Sequence, residues 1–393
     1  KIVEMGVWVA GPAAGGVLAD WGADVIKIEP PGMGDPARSF TKRLGGDLDI
    51  NPPFEMDNRS KRSIVLDVGQ PEGKAIALEL LDEADVFITN IRPAALARLG
   101  LDPATLLARN KRLIYGAITG YGMAGPDRDR AAYDIAAFWA RSGIANALTP
   151  PGANPPFQRG GMGDHGAGMS LAGAISAALF AREKSGKGQL VSTSLLRHGI
   201  YTMSFDLAIN LRFGVEIMGA DRKTMGNPTV NSYQDKDGRW FWVVGLEGDR
   251  HWPPLARAVG HPEWIDDERF ATMATRAQNA PDLIKALDEI FATKSRDEWA
   301  EIFETEEDFW WAPVQNFGEV LADPQVHAAG GLVEVPDDVG TTLLPSSPVD
   351  FDDTPWAPRS MAPSHGEHTD DVLSETGRSA DQIAELRSRG ILG

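Results

Sequence analysis

The first thirty residues constrain the fold of this chain more than any other stretch. Lys1–Val9 reads as a β run, Gly11-Pro12 breaks it, and Ala13–Gly22 continues as a helix rich in small residues. Asp24–Glu29 is a second strand, stopped by Pro30-Pro31. Pro12 suits a first helical turn, where its missing N–H removes no bond. Strand, helix and strand in this order form a βαβ unit, whose strands run parallel in one sheet. The alternation goes on through strands at Ser63–Asp67, Asp85–Thr89 and Leu113–Thr119 and a helix at Pro71–Ala84. An α/β class follows, with a doubly wound parallel sheet.

Residues 145–163 read as loop, with Pro150-Pro151, Pro155-Pro156 and Gly160-Gly161. An alanine-rich helix is expected at Gly166–Glu183, a strand at Gln189–Ser194, and a helix through Leu195–Leu211. Character changes after about 220. Asp235-Lys-Asp-Gly238 is a hairpin turn between Ser232-Tyr-Gln and Arg239–Val244. Ser295-Arg-Asp-Glu298 is a capping box, in which each end of the motif satisfies the other's free N–H. The expected layout is a large domain over 1–221, a smaller α+β domain over 222–325, and a C-terminal segment over 326–393 that ends in a helix at Asp381–Arg389. No internal repeat is visible.

Charge bounds the partners. Asp and Glu number 56 against 38 Lys and Arg, a net charge of −18. Such a field repels phosphate backbones, so nucleic acid is not an expected partner. An anionic ligand needs a local basic cluster. Arg38, Lys61, Arg62, Arg92, Arg98 and Arg130 fall near expected strand ends or loops, where such sheets bind ligands, although each alone reads as surface charge. The chain has no Cys, which excludes disulfides, thiolate metal sites and a Cys nucleophile, and is compatible with the cytoplasm. Its longest apolar runs, such as Ile175–Phe180, fall short of the ~20 residues of a membrane span, so no membrane partner is expected. No secretory signal is visible; the first residues already read as strand, an expectation that a short leader precedes them.

Two glycine-rich stretches carry the chemistry. Gly11-Pro-Ala-Ala-Gly15-Gly16 opens a helix after a strand, a place that can hold phosphate, and Glu29 mimics a ribose-binding acid. The spacing is not Gly-x-Gly-x-x-Gly, and the glycines equally allow close packing. Gly160-Gly-Met-Gly-Asp164-His165-Gly-Ala-Gly168 sets a carboxylate among glycines at a helix start. An N-cap is the simpler reading of Asp164. A nucleophile is the other, with the helix dipole keeping Asp164 ionised and glycine N–H groups supplying an oxyanion hole. His165 reads as structural, because adjacent side chains point apart. The remaining His residues are scattered without ligand spacing, so no metal site is expected. Trp8, Phe138 and Trp139 read either as an acyl pocket or as core.

Several motifs together resemble the class III CoA-transferase family. They are Val9-Ala-Gly-Pro12, Gly22–Glu29, Gly34-Asp35-Pro-Ala-Arg38, Asn58–Asp67, Gly163-Asp164 and Gly366-Glu-His368, in family order along essentially the whole chain. The resemblance implies an interlaced homodimer. It implies an acyl-CoA and a carboxylic acid as partners, with coenzyme A as substrate and no permanently bound cofactor. It implies Asp164 as the nucleophile that becomes an aspartyl-CoA thioester. By position, Val9, Ala10, Arg38, Leu66, Val68, Asn90, Ile91, Arg98 and Arg130 match residues around coenzyme A. A glycine run of the formyl-CoA enzyme is replaced here by Met225-Gly-Asn-Pro-Thr229. The alternative on the same fold is an acyl-CoA racemase, which uses a His of a Gly-His-Asp stretch. Here that stretch reads Ala132-Tyr133-Asp134, and a tyrosine with pKa near ~10 is a poor base at neutral pH, which favours the transferase.

Overall fold

The computed structural model describes residues 1–40 and 50–393. They divide into two compact units, one of residues 1–145, 156–217 and 329–393, the other of 146–155 and 218–328.

The first unit is built on six parallel strands: β1 (Ile2–Met5), β2 (Val25–Glu29), β3 (Arg62–Val65), β4 (Val86–Thr89), β5 (Ile114–Thr119) and β6 (Gln189–Ser194). Their order in the sheet is β3-β2-β1-β4-β5-β6. β1 to β5 are almost wholly buried, as expected for parallel strands covered on both faces. Val3, Met5, Ile26, Ile28, Phe87 and Tyr115 feed the core on one face. Ile2, Val25, Val86, Ile88 and Ile114 feed the other, beneath α1 (Ala10–Asp20) and α3 (Met162–Ser185), with α2 (Pro52–Asn58) against α1. The returning C-terminal segment closes the β3 edge. Asp67 N–H donates to Ile391 O at 2.9 Å and Val65 N–H to Thr369 Oγ1 at 3.0 Å, while Val372, Leu373 and Ile391 enter the core.

Polar residues sit where the pattern calls for apolar ones. Glu4 of β1 and Lys27 of β2 are register partners facing α1, and both are fully buried. Lys27 Nζ reaches Glu4 Oε1 and Asp35 Oδ2, each at 2.9 Å, and Lys61 Nζ reaches Glu4 Oε2 at 2.8 Å. Burial pushes Glu4 toward its neutral form, but the two ammonium groups outweigh it and hold its pKa below the usual range. Gly15 lets α1 settle onto this cluster, for a Cβ there would lie 2.0 Å from Glu4 Oε2. Close packing is therefore what that glycine serves. Lys61 is spent inside the cluster and cannot meet a ligand phosphate, contrary to its reading as part of a basic patch.

Several elements differ from expectation, and the helix expected at Ala13–Gly22 runs over Ala10–Asp20. β1 ends at Met5, opposite the last residue of β4, and beyond it the Asn90 side chain rather than a strand takes up the Val7 backbone before Trp8 turns at φ 63°. The helix expected at Gly166 begins at Met162, stabilised by packing on α1 that outweighs the poor helix propensity of its glycines. The helix after β6 breaks at Met203 into α4 (Leu195–Thr202) and α5 (Ser204–Phe213). A hairpin of β10 (Leu332–Asp337) and β11 (Gly340–Pro345) lies in the segment read as irregular.

The second unit holds an antiparallel sheet of β7 (Val230–Gln234), β8 (Trp240–Val244) and β9 (Trp311–Pro313). The expected hairpin at Asp235–Gly238 joins β7 to β8, and the Ser295 capping box starts the helix Arg296–Phe303. Its core is aromatic, with Tyr233, Phe241, Phe291, Trp299 and Phe303 in mutual contact.

Candidate active site

The strand order reverses between the parallel neighbours β1 and β4, where one connection leaves toward β2 and the other toward β5. Ligands of open α/β sheets bind outside the strand ends at such a point. Two loops are stitched together there. Val7 N–H donates to Asn90 Oδ1 at 2.9 Å, and Asn90 Nδ2 donates back to Val7 O at 2.7 Å. Asp35 Oδ1 accepts the N–H of Trp8 and of Ala37, both at 2.9 Å, so the buried charge cluster also holds the strained Trp8 backbone. Trp8 packs edge-on against Tyr133, ring centres 5.8 Å apart.

A cleft of about 530 Å³ opens at this point, lined by Trp8, Asn90, Ile91, Tyr133, Asp134 and Asp164 among others. Asp164 reaches it from the first turn of α3. The N-cap is Gly161, at φ 77°, a conformation glycine adopts without strain. Asp164 is therefore not the cap, correcting the simpler reading. The first-turn N–H of Gly163 is satisfied instead by Asp134 Oδ2 at 3.0 Å. That N–H is occupied, so it is not a free oxyanion donor.

The electrostatics also depart from expectation. A helix N-terminus favours an ionised carboxylate by ~0.3–1 kcal/mol, under one pKa unit. Burial and the Asp134 carboxylate oppose it and win, pushing Asp164 up to about 7, with His165 pulling the other way. His165 faces a second cavity of about 230 Å³, bounded by α1, α2 and α3. Its Nε2 lies 3.1 Å from Asp57 Oδ1, and this bond raises the imidazole pKa. The two neighbouring side chains do diverge, and the Asp57 bond that orients His165 also favours its protonated form.

Among the residues expected around coenzyme A, Ala10, Asn90 and Ile91 line the cleft with Asp164. Val9 caps α1 from its backbone, accepting the Ala13 N–H at 2.7 Å. Arg38 forks onto Glu29 at 2.8 and 2.7 Å, donates to Pro363 O and lies over the Phe54 ring. Leu66 is fully buried in the core, and Val68 packs against the same core. Arg98 is exposed at the end of the helix Pro93–Leu99, and Arg130 is exposed beside Tyr121. Arg92 lines the cleft, whereas Arg62 pairs with Asp24 and Glu375. Trp8 lines the cleft, while Phe138 and Trp139 are core. Among the described residues no group of three His, Asp or Glu could hold a metal ion, and no helix is long and apolar enough to cross a membrane.

Sequence reading missed Asp134, Asp57 and the Glu4–Lys27–Asp35 cluster. Asp134 was in view as the neighbour of Tyr133, but nothing local ties it to a glycine 29 positions on.

Residues 1–369 match the family model described as CoA-transferase family III. The chain is 32% identical over 394 residues to a (R)-2-hydroxy-4-methylpentanoate CoA-transferase of Clostridioides difficile, covering 100% of this chain and 98% of that one. It is 33% identical over 391 residues to a cinnamoyl-CoA:phenyllactate CoA-transferase of Clostridium sporogenes, covering 98% and 94%. The crystal structure of a CAIB/BAIF family protein from Brucella suis superposes with TM-score 0.82 at 30% identity, covering 95% of this chain and 97% of that one.

Proposed function

The chain belongs to CoA-transferase family III and is a CoA-transferase, and on that premise we propose that it exchanges coenzyme A between an acyl-CoA and a free carboxylic acid through a thioester on Asp164. The supporting observation is a carboxylate at the strand-end cleft, shielded enough to sit at about 7. An Asp164 oxygen attacks the thioester carbonyl, the C–S bond breaks, and CoA thiolate leaves a mixed anhydride. The thiolate then attacks the Asp164 carbonyl carbon, and the first acid departs as a carboxylate. The second acid attacks the aspartyl thioester carbonyl and expels CoA thiolate, giving a second mixed anhydride. The thiolate then attacks the new acyl carbon, whose bond to the bridging oxygen breaks and frees the Asp164 carboxylate. Each step moves an acyl group between a carboxylate and a thiolate, so water must be kept from the anhydride. Coenzyme A enters as substrate, with Val9, Ala10, Arg38, Leu66, Val68, Asn90, Ile91, Arg98 and Arg130 as its proposed surroundings. The relatives' names and the Trp8, Tyr133, Ile91, Ile118 and Leu195 lining favour an acid with a bulky apolar side chain.

The reading includes a cytoplasmic, interlaced homodimer, with domains over 1–221, 222–325 and 326–393. Supporting the dimer, α5 has no buried residue although Phe205, Leu211 and Phe213 are 78%, 82% and 76% exposed. A helix apolar on such a surface needs a covering partner. Phe205→Asp is expected to lower the melting temperature of the dimer by several degrees, because it buries a charge where two chains meet; an unchanged melting temperature would remove α5 from the interface. The reaction itself is tested by incubating acyl-CoA donors with carboxylate acceptors and weighing the products. New acyl-CoA without hydrolysis is expected. Deuterium entering the α-carbon with no acceptor present would instead point to a racemase.

A further inference from the structure

Asp134 is nine-tenths buried at the start of the π-helical segment Ile135–Ala140, and it lines the same cleft as Asp164. One oxygen, Oδ2, holds the Gly163 N–H at 3.0 Å. The other, Oδ1, has no hydrogen-bond partner. A Cβ on Gly163 would lie 2.3 Å from that oxygen and 2.2 Å from the Phe138 ring, so the carboxylate is wedged against the residue preceding Asp164. A cap needs only one oxygen and no net charge, since serine, threonine and asparagine cap as well. A buried carboxylate with an unpartnered oxygen is more than capping requires, and its cost calls for a reason.

We propose that Asp134 is a positioning residue whose buried charge, pinned beside Asp164, disfavours the free Asp164 carboxylate and so directs collapse of the mixed anhydride toward the aspartyl thioester. The inference rests on Asp164 being the nucleophile. The anhydride has two carbonyl carbons. Thiolate attack on the acyl carbon expels Asp164 and returns the starting acyl-CoA. Attack on the Asp164 carbon breaks its bond to the bridging oxygen, expels the substrate carboxylate, and forms the Asp164 C–S bond. The less basic carboxylate is the better leaving group. An ordinary acid titrates near ~4, whereas Asp164 lies at about 7, so the second route is favoured. Charge repulsion between the two aspartates also disappears once Asp164 is acylated. The other titratable or charged groups around the pair are His165 with Asp57 on α2, His198 over Gly166 on α4, and Tyr133 and Arg92 in the cleft wall.

Asp134→Asn keeps an acceptor for the Gly163 N–H and removes the charge. In the intact enzyme the acid limb of kcat/KM is expected to move down by about one pH unit, the usual direction when a like charge is removed. At a pH where both enzymes are fully ionised, the Asp164–CoA adduct formed from acyl-CoA alone is expected to fall several-fold. Asp134→Ala, which also loses the cap, should additionally lower thermal stability. A purely structural role predicts that Asp134→Asn leaves both the pH limb and the adduct yield unchanged, and that result would overturn the proposal. Should Asp134→Asn not fold, infrared titration of the wild type and Asp164→Asn decides: protonation of Asp164 near pH 4, or of Asp134 ahead of Asp164, overturns it, and protonation of Asp164 near pH 7 with the Asp134 carboxylate band still present supports it. If Asp164→Asn itself still transfers CoA, the nucleophile reading fails rather than this one.

Discussion

Asp164→Asn is expected to lower turnover by at least about a thousand-fold, the scale seen when a covalent nucleophile is removed, with coenzyme A affinity nearly unchanged. In the wild type, kcat/KM should climb with pH through about 7, because the attacking group must be ionised and Asp164 is held at about that value. Stability follows the opposite course. The folded-state pKa lies above the unfolded one, so between about pH 4 and 7 the folded chain carries a proton that the unfolded chain has lost. Stability therefore falls as pH rises across that window. The pKa difference sets an upper limit of about 4 kcal/mol, and partial exposure of Asp164 reduces it to roughly half. Asp164→Asn removes this slope, so the inactive variant should melt above the wild type at pH 8 and match it at pH 4. Calorimetry at the two pH values checks the sign.

The largest loss of stability is expected from Lys61→Met. It strips Glu4 of one of its two buried cations and leaves Asn58 Oδ1 and Pro12 O without their 3.1 and 2.8 Å donors. Removing one member of a buried ion pair costs about 3–5 kcal/mol, because the surviving charge stays desolvated. Urea unfolding should show that loss with an unchanged slope. A change under about 1 kcal/mol would mean that Glu4 simply takes up a proton and that the cluster is not held as charges. Intact buried pairs are often no more stable than apolar replacements, so the cluster's use lies in placement. Lys27 anchors Asp35, and Asp35 fixes the backbone of Trp8 at the cleft wall.

The doubly wound sheet was legible because its strands are short Val- and Ile-rich runs punctuated by Gly, Pro and Asn, a local signal. Glu4 and Lys27 were hidden within those runs, since a single polar residue in a strand does not reveal that its register partner carries the opposite charge. Lys61 beside Arg62 reads as an exposed basic pair, and only the tertiary fold separates the buried member from the half-exposed one. Asp164 stood out through its glycine setting, but its chemistry did not. The dipole argument favours an ionised group, whereas burial and Asp134, both products of tertiary packing, reverse the sign. The β10–β11 hairpin was missed because Pro, Asp and Gly in its sequence signal turns as strongly as its Leu and Val residues signal strand.

The most direct measurement is the mass of the peptide bearing Asp164 after the enzyme meets an acyl-CoA with no acceptor acid. The mechanism predicts that peptide plus coenzyme A less one water, absent from Asp164→Asn and cleaved by hydroxylamine. A turning-over enzyme whose Asp164 peptide carries neither coenzyme A nor an acyl group would contradict it.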